Sequence, residues 1–262
     1  MNPELIQKGL RTKTLGRSLL CLEKTTSTND VVSEMAHQGA PEGTVILAET
    51  QTKGRGRQGR RWTTLEGKSL AFSILLKPRL PMDELPEITL AAAVAVAKVL
   101  EDFHLKPRIK WPNDLLLDGR KVCGILTETA HKREKPSMVV LGIGINLNQT
   151  PKDFPKELRE TATSCFISAG RKIDRVRFFQ KMMFRMEEAY HWVVERRFSK
   201  VLQEWRKRNA IQGRQVKVQQ GHHSFYGQVL DADEKGALLV RNDVGMVERI
   251  TSGDVHILNV GG

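Results

Sequence analysis

The spacing of apolar residues predicts helices before residue 210 of the chain. Thr25–Asp30 is a cluster of residue types that cap helix N-termini, apolar residues at helical spacing follow it, and Gly39 supplies a stop signal. Leu85–Phe103 and Ile173–Arg197 carry longer apolar patterns, and the Ala- and Val-rich centre of the first is typical of a buried helix. Val201–Arg208 is a shorter segment that also predicts a helix. The sequence therefore predicts two long helices and two shorter ones.

Between these helices the pattern predicts strands. The segment Glu49–Gly67 interrupts them: it is polar, rich in glycine and without an apolar period, so we expect a long loop there. Asp118-Gly119 has the composition of a two-residue hairpin turn. The predicted strands are Gly43–Ala48, Ser69–Lys77, Arg108–Trp111 leading into a turn at Pro112-Asn113, Leu115–Leu117, Val122–Glu128 and Met138–Leu147.

From Gly213 the pattern changes to short segments in which apolar and polar residues alternate, separated by predicted turns. Five short strands of this kind within about 50 residues indicate a small β-barrel. We therefore predict an α+β fold, with a mixed-sheet domain over residues 1–210 and a barrel-like module over residues 211–262. The five strands are Arg214–Val218, Phe225–Asp231, Ala237–Arg241, Glu248–Thr251 and Val255–Leu258.

Composition narrows the class of protein. The chain has a formal net charge of +12 and a pI near 9.8, which fits a nucleic-acid, small-anion or acidic-protein partner. No apolar run reaches the roughly 20 residues that span a bilayer, and Met1–Lys13 lacks the apolar centre of a signal peptide. The three cysteines form no CxxC pattern, and reduced thiols are expected. We expect a cytoplasmic protein with no membrane partner.

The predicted loop contains the most distinctive motif. Residues 54–62 read Gly-Arg-Gly-Arg-Gln-Gly-Arg-Arg-Trp. The glycines match GxGxxG, but no helical pattern follows them, so a dinucleotide site is rejected. Glycines let backbone N–H groups approach an anion, and arginines add forked donors for phosphate or carboxylate. The motif therefore indicates a loop that orders over a charged ligand, and a solvated basic loop stays open as the alternative.

Two further segments carry polar residues suited to chemistry. Residues 110–126 read Lys-Trp-Pro-Asn-Asp-Leu-Leu-Leu-Asp-Gly-Arg-Lys-Val-Cys-Gly-Ile-Leu, and the hairpin is expected to set Asn113, Asp114 and Lys121 near one end of two strands. An asparagine can read the edge of a base, and an aspartate can hold Mg²⁺. An ordinary charged hairpin is the alternative. Residues 27–29, Ser-Thr-Asn, taken alone predict only a helix cap.

Taken together, these segments resemble the biotin–protein ligase family. The Ser-Thr-Asn element, Gln51 with GRGRxGRxW, KWPNDLLLxGRKVxGIL and the Gly-Ile-Gly-Ile-Asn of residues 142–146 occur in that family's order and spacing, over about residues 13–258. The resemblance implies a catalytic biotin- and ATP-binding domain at residues 1–210 and an SH3-like domain at 211–262. Gln58 departs from the basic residue that members often carry. Only 26 residues precede Ser27, so a ligase without an N-terminal DNA-binding domain is expected.

The resemblance also implies which residues form the site. Arg57 and Lys121 match the family's two catalytic cations, and Asp114 matches the acidic residue near Mg²⁺ and the phosphates. The positions that match biotin-binding residues are Ser27, Thr28, Asn29, Gln51, Gly54, Arg55, Gly56, Arg57, Lys121 and Gly124. Those that match ATP- or adenylate-binding residues are Arg55, Trp62, Lys110, Asn113, Asp114 and Asn146.

The implied activity is the ATP-dependent activation of biotin to biotinyl-AMP, followed by transfer to a lysine of a biotin carboxyl carrier protein. No specific DNA binding is expected, and both a monomer and a homodimer stay open. A lipoate or octanoate ligase of the same fold is the nearest alternative, but its RRxxGG loop is missing. A basic nucleic-acid-binding protein is a second alternative, although no aromatic ladder typical of RNA recognition occurs.

Overall fold

A computed structural model describes residues 1–130, 138–221 and 223–258 of the chain. Its helices are α1 (Pro3–Gly9), α2 (Thr28–His37), α3 (Pro86–Asp102), α4 (Cys165–Ala169), α5 (Arg175–Val194) and α6 (Phe198–Arg208). Its strands are β1 (Leu19–Thr25), β2 (Val45–Gln51), β3 (Ser69–Leu76), β4 (Arg108–Lys110), β5 (Asp114–Leu117), β6 (Arg120–Ala130), β7 (Met138–Asn146), β8 (Gln215–Gln220), β9 (His223–Ala232), β10 (Leu238–Asn242), β11 (Val247–Ile250) and β12 (Asp254–Ile257).

The first seven strands form one mixed sheet with the order β1-β2-β3-β7-β6-β5-β4. β1 and β2 are parallel, and the other neighbouring pairs are antiparallel. The predicted α+β class with a mixed sheet is confirmed. Asp118 and Gly119 form the predicted hairpin turn between β5 and β6, both with positive φ, as a two-residue turn of this kind requires.

The two faces of this sheet are occupied very differently. Alternate residues of β3 and β7 are large and buried, among them Leu70, Phe72, Leu141 and Ile143, and they belong to the main core with α3 and α5. The residues between them point to the other face, where Ala71, Ser73, Gly142 and Gly144 leave open space beside α2. One face of the sheet therefore builds the core, and the other leaves room for a cavity.

The last five strands form a second, antiparallel sheet in the order β11-β10-β9-β8-β12. All five agree with strands expected from the sequence, while their SH3-like character stays a prediction. The indole Nε1 of Trp111, which follows β4, donates to the carbonyl oxygen of Gly236 at 3.0 Å. A Cβ on Gly236 would stand 2.5 Å from Leu90 on α3. The backbone between β9 and β10 therefore packs closely against the helix that covers the first sheet.

The sequence did not predict α1, β1 or α4. β1 is an edge strand whose side chains are half-buried or exposed without a regular alternation, so it gives no period-two signal. α1 is seven residues long and is held by the Asn2 cap and by Ile6, which is buried in the core. Among the described helices, none combines the length and apolar composition required to cross a membrane.

The N-terminal segment is tied to the core by a carboxylate. Glu187 on α5 accepts hydrogen bonds from the backbone N–H groups of Lys13, Thr14 and Leu15 at 2.8, 2.7 and 3.0 Å. Burial raises the pKa of Glu187, but the three amide donors outweigh burial, and the pKa lies below its ordinary value. The ionised carboxylate is therefore the form that fits the fold.

We expect Glu187→Gln to lower the free energy of unfolding by about 1–3 kcal/mol, because an amide nitrogen replaces an acceptor and leaves a buried N–H unpaired. Chemical denaturation at pH 7 measures this difference. The folded pKa is depressed, so the carboxylate's contribution is present above the unfolded pKa of about 4.3 and disappears as pH falls through the folded pKa. Glu188→Gln, at a half-buried neighbour whose carboxylate pairs with Arg185 of the same helix, is the control and should change stability little.

Candidate active site

Glycines form the floor of the cavity. Gly144 on β7 pairs with Gly124 on β6, and the indole of Trp62 lies against both. A Cβ on Gly144 would come within 2.3 Å of Trp62 Cε2, and one on Gly124 would come within 3.2 Å of Trp62 Cζ3. Any side chain at Gly144 would therefore displace the indole.

The loop over this floor folds back on itself as a narrow hairpin. The backbone N–H of Trp62 donates to the Gly54 carbonyl at 2.9 Å, and Arg55 bridges to Arg61. A Cβ on Gly54 would lie 2.4 Å from the carbonyl oxygen of Trp62, so only glycine fits this crossing. Gly54 closes the loop but does not line the cavity, unlike the other predicted site residues. Its predicted part in biotin binding stays a prediction, while the crossing shows that Gly54 fixes the shape of the loop.

The predicted Ser-Thr-Asn element lies at the start of α2 and faces the cavity. Ser27 occupies the N-cap position, but its side chain makes no capping hydrogen bond. Gln51 at the end of β2 instead accepts from the N–H of Thr28 at 2.7 Å and from its hydroxyl at 3.1 Å. Capping therefore does not account for the hydroxyl of Ser27, which lines the cavity.

A chain of hydrogen bonds continues from Thr28 along the cavity wall. The hydroxyls of Thr28 and Ser73 are 2.6 Å apart, and Ser73 donates to Asn29 Oδ1 at 2.5 Å. Asn29 Nδ2 in turn donates to Glu128 at 2.5 Å. The carboxylate at the end of the chain fixes the orientation of the Asn29 amide, because only the nitrogen of an amide can donate to it. This end of the cavity offers neutral donors and acceptors in a set direction.

Arg55 lies beside this polar end and is held by acidic neighbours. Its guanidinium bonds both carboxylate oxygens of Asp30, at 3.0 and 2.7 Å, and lies 3.4 Å from Glu128. The Asp30 carboxylate and Glu128 raise the pKa of Arg55. Arg55 lines the cavity, but its forked donors already have anionic partners within the protein.

The cationic end of the cavity depends on an irregularity in β6. Leu115 pairs with Cys123 and the next residue, Leu116, pairs with Lys121, so Val122 is an extra residue in the ladder. Residues three apart on a regular strand face opposite ways. The bulge instead sets Lys121 on the same face as Gly124.

The same bulge lets Lys121 meet a carboxylate from β5. Lys121 lies beside the turn and Asp114 lies at the far end of β5, so the expectation that both sit at one end of the hairpin is wrong. Their side chains nevertheless meet, with Nζ 2.6 Å from Asp114 Oδ1, because the bulge turns Lys121 toward the cavity.

A second cation enters from the loop. Arg57 donates to Asn113 Oδ1 at 3.2 Å and to the carbonyl oxygen of Gly253 at 3.0 Å, which joins the loop to both sheets. Burial lowers the pKa of Arg57, and burial likewise lowers the pKa of Lys110. Both cations are thus partly desolvated, and an anion placed between them would gain more than in water.

The predicted base-reading residues lie on two sides of the cavity. Asn113 Nδ2 donates to the carbonyl oxygen of Ile125 at 2.8 Å. Asn146 is 7% exposed, and its Nδ2 donates to the carbonyl oxygen of Thr163 at 3.0 Å. Each amide thus keeps one hydrogen and part of its oxygen's acceptor capacity for a ligand.

The C-terminal sheet completes the wall. Asp254 at the start of β12 is 8% exposed and forms an ion pair with Arg60 of the loop. The whole cavity has a volume of about 1080 Å³. It brings together the predicted site residues Ser27, Thr28, Asn29, Gln51, Arg55, Gly56, Arg57, Trp62, Lys110, Asn113, Asp114, Lys121, Gly124 and Asn146.

Four further residues of this region were missed by the sequence reasoning: Ser73, Glu128, Gln149 and Asp254. The sequence does carry a signal for Ser73, because small side chains alternate with large apolar ones over residues 69–74. Residues 142–146 show the same alternation, which would have revealed a sheet face without bulk. For Glu128 and Asp254 no local pattern exists, because their partners are distant in the chain. Gln149 donates to the nearby Asn146, but its bond to Ser69 spans 80 residues and leaves no local pattern.

Asp114 is the candidate carboxylate ligand for a divalent cation in the cavity. No group of three or more histidine, cysteine or acidic side chains suited to a metal occurs in the described residues. A single carboxylate beside nucleotide phosphates is nevertheless the usual protein contribution to a Mg²⁺ site. Asp114 fits that role, since it lines the cavity and one of its oxygens already faces a cation, Lys121.

Comparisons with known proteins agree with this geometry. Residues 21–146 match the model of the biotin/lipoate A/B protein ligase family, and residues 211–258 match the biotin protein ligase C-terminal domain. The chain is 37% identical over 253 residues to the bifunctional ligase/repressor BirA of Bacillus subtilis, which covers 96% of this chain and 78% of the relative. It is 30% identical to the biotin–[acetyl-CoA-carboxylase] ligase of Mycobacterium tuberculosis, over 97% of this chain and 96% of that protein.

Among solved structures, the biotin protein ligase of Aquifex aeolicus in complex with biotin and ATP superposes with a TM-score of 0.81. It is 30% identical and is matched over 92% of this chain and 99% of its own. Family models match segments in both sheets, and relatives that align over almost the whole chain share 30% identity or more with it. The chain therefore belongs to the biotin/lipoate A/B protein ligase family, in its biotin protein ligase branch.

Proposed function

We propose that this cavity activates biotin with ATP to biotinyl-AMP and then transfers the biotinyl group to a lysine of a biotin carboxyl carrier protein. One observation carries the proposal. A single cavity joins a neutral, hydrogen-bonding end at Thr28 and Asn29 to a cationic end at Arg57 and Lys121. Biotin has matching ends, a cyclic urea and a carboxylate.

The neutral end suits the cyclic urea. A buried urea needs a donor for its carbonyl oxygen and acceptors for its two N–H groups, or it loses stability. Ser27, Thr28, Asn29 and Gln51 supply hydroxyl and amide groups of both kinds. A ligand with only a disulfide ring would leave these groups without partners, so the wall favours biotin over lipoate.

The cationic end suits the first chemical step. A carboxylate oxygen of biotin attacks the α-phosphorus of ATP, the bond to the β-phosphate oxygen breaks, and pyrophosphate leaves. Both reactants are anions, so Arg57 and Lys121 offset their repulsion and stabilise the charge on the phosphoryl oxygens. Mg²⁺, held by Asp114 and the phosphates, would neutralise further charge. Asn113 and Asn146 then hold the nucleotide.

The loop protects the product of this step. Biotinyl-AMP is a mixed anhydride that water hydrolyses, so a covering loop must exclude water until the acceptor arrives. Arg57 and Arg60 attach the loop to Gly253 and Asp254 of the second sheet. We therefore assign residues 1–210 to a catalytic domain and residues 211–262 to a domain that helps to close the site.

In the second step the neutral amine of the acceptor lysine attacks the acyl carbon, AMP leaves, and the nitrogen loses a proton. The chain's net charge of +12 suits an acidic carrier domain as the partner. A cytoplasmic location is part of the proposal, because Cys123 and Cys165 are buried unpaired thiols of the kind found in reducing compartments.

The decisive experiment is ATP–pyrophosphate exchange with the purified protein and Mg²⁺, with biotin, lipoate, octanoate or no acid added. Exchange that requires biotin is expected, because only biotin satisfies the polar end of the cavity. Exchange driven by lipoate or octanoate instead, or no exchange with any acid, would refute the proposal.

Replacing Lys121 with Ala should slow adenylation by about 10²–10³-fold, since a preorganised charge beside the reacting phosphate is lost. Single-turnover formation of biotinyl-AMP measures the rate. Arg120→Ala removes the neighbouring cation of β6, which does not line the cavity, and should leave the rate near that of the parent. Equal effects of both substitutions would contradict the role of Lys121.

Replacing Arg57 with Gly should release biotinyl-AMP into solution, because the loop loses its bonds to Asn113 and Gly253. Trapping of free adenylate by a lysine-containing peptide measures the release. Lys53→Gly changes an exposed cation of the same loop that does not line the cavity, and serves as the control. Tight retention of the intermediate by the Arg57→Gly protein would count against the proposed role.

A further inference from the structure

A buried relay of hydrogen bonds links Ser69, Gln149, Asn146 and the carbonyl group of Thr163. Within this relay, Gln149 has no role in the proposed reaction. Gln149 Nε2 donates to Ser69 Oγ and to Asn146 Oδ1, both at 2.9 Å. Asn146 Nδ2 donates to the Thr163 carbonyl oxygen at 3.0 Å. Gln149 is 2% exposed and lines the cavity.

The relay has one consistent direction. Thr163 offers a carbonyl oxygen, so Asn146 must turn its nitrogen toward it and its oxygen toward Gln149. Gln149 must then present its nitrogen to Asn146, which leaves its own oxygen pointing elsewhere. That oxygen is buried and has no hydrogen-bond partner. A buried acceptor without a donor costs about 1–3 kcal/mol, so a ligand that supplies the donor would be favoured.

A second unpaired polar atom lines the same cavity. The Nε1–H of Trp62 is buried and has no hydrogen-bond partner. The two unpaired groups are complementary, because the Gln149 oxygen is an acceptor and the Trp62 N–H is a donor. An occupant that satisfies both must carry an N–H donor and an acceptor. Adenine does so through its exocyclic amino group and its ring nitrogens, whereas hypoxanthine has a carbonyl oxygen in place of the amino group.

We propose that Gln149 determines the specificity for the purine base of the nucleotide, because its unpaired Oε1 accepts a hydrogen bond from an exocyclic amino group while its Nε2 fixes the orientation of Asn146. The inference rests on the proposed function, and it adds the residue that distinguishes one base from another. A base with a carbonyl oxygen at that position sets two acceptors against each other, and the site rejects it.

The test compares ATP with inosine triphosphate as substrates of biotin-dependent pyrophosphate exchange. The parent protein should prefer ATP by about 5- to 150-fold in kcat/KM, the range that corresponds to one unpaired buried group. Gln149→Met keeps the side chain's length but not its polar atoms, and should reduce this preference to within about threefold of unity. The KM for biotin should stay unchanged, because biotin binds at the other end.

The matched control is Asn148→Ala: Asn148 makes two hydrogen bonds to Ile173, does not line the cavity, and should leave the preference for ATP intact. An ATP preference in Gln149→Met equal to that of the parent overturns the inference.

Equilibrium binding of ATP and inosine triphosphate without any acid separates this inference from the proposed function. Base recognition needs no chemical step, so the preference for ATP in binding should appear even where exchange fails. Equal affinity of the parent protein for the two nucleotides overturns the inference, whatever the exchange assay shows about the reaction.

Discussion

The absence of bulk on one face of the central sheet is the constraint on which the site depends. Gly142 and Gly144 alternate with residues that pack into the core on the opposite face of the sheet. The same short stretch of β7 therefore fills the core on one face and leaves room for the cavity on the other. The space is partly filled from the loop and from α2: Trp62 lies on Gly144, and Asn29 Oδ1 lies where a Cβ of Gly142 would stand. Small residues there are a requirement of shape.

The charges at the site come from segments that fold toward each other from different directions. Arg57 arrives from the loop, Lys121 from β6 and Asp254 from the second sheet. Partial burial strips water from the cations, and nearby carboxylates limit the cost of that burial. Bound anions would take over some of these partners. The cavity walls are thus held together by interactions that a phosphate or carboxylate can replace.

Much of the fold was predictable because long helices and alternating strands leave a periodic signal. Residues with a local motif, such as Lys121 and Trp62, were also found. The sequence could not indicate that Gly54 shapes the loop instead of lining the cavity, since this depends on a crossing with Trp62 eight residues later. Nor could it show the partners of Glu128 or Gln149, because hydrogen bonds between distant segments leave no spacing rule. The hairpin was predicted, but its bulge was not.

The extra residue in β6 has a consequence for how this chain can vary. A regular strand would turn Lys121 toward the helices behind the sheet, where an ammonium group would be buried among apolar side chains. The spacing of three residues between Lys121 and Gly124 therefore requires the bulge, whichever residues stand between them. Substitutions at Val122 alter packing, whereas deletion of Val122 would leave Lys121 two positions before Gly124, a spacing at which a regular strand keeps both residues on the cavity face without a bulge.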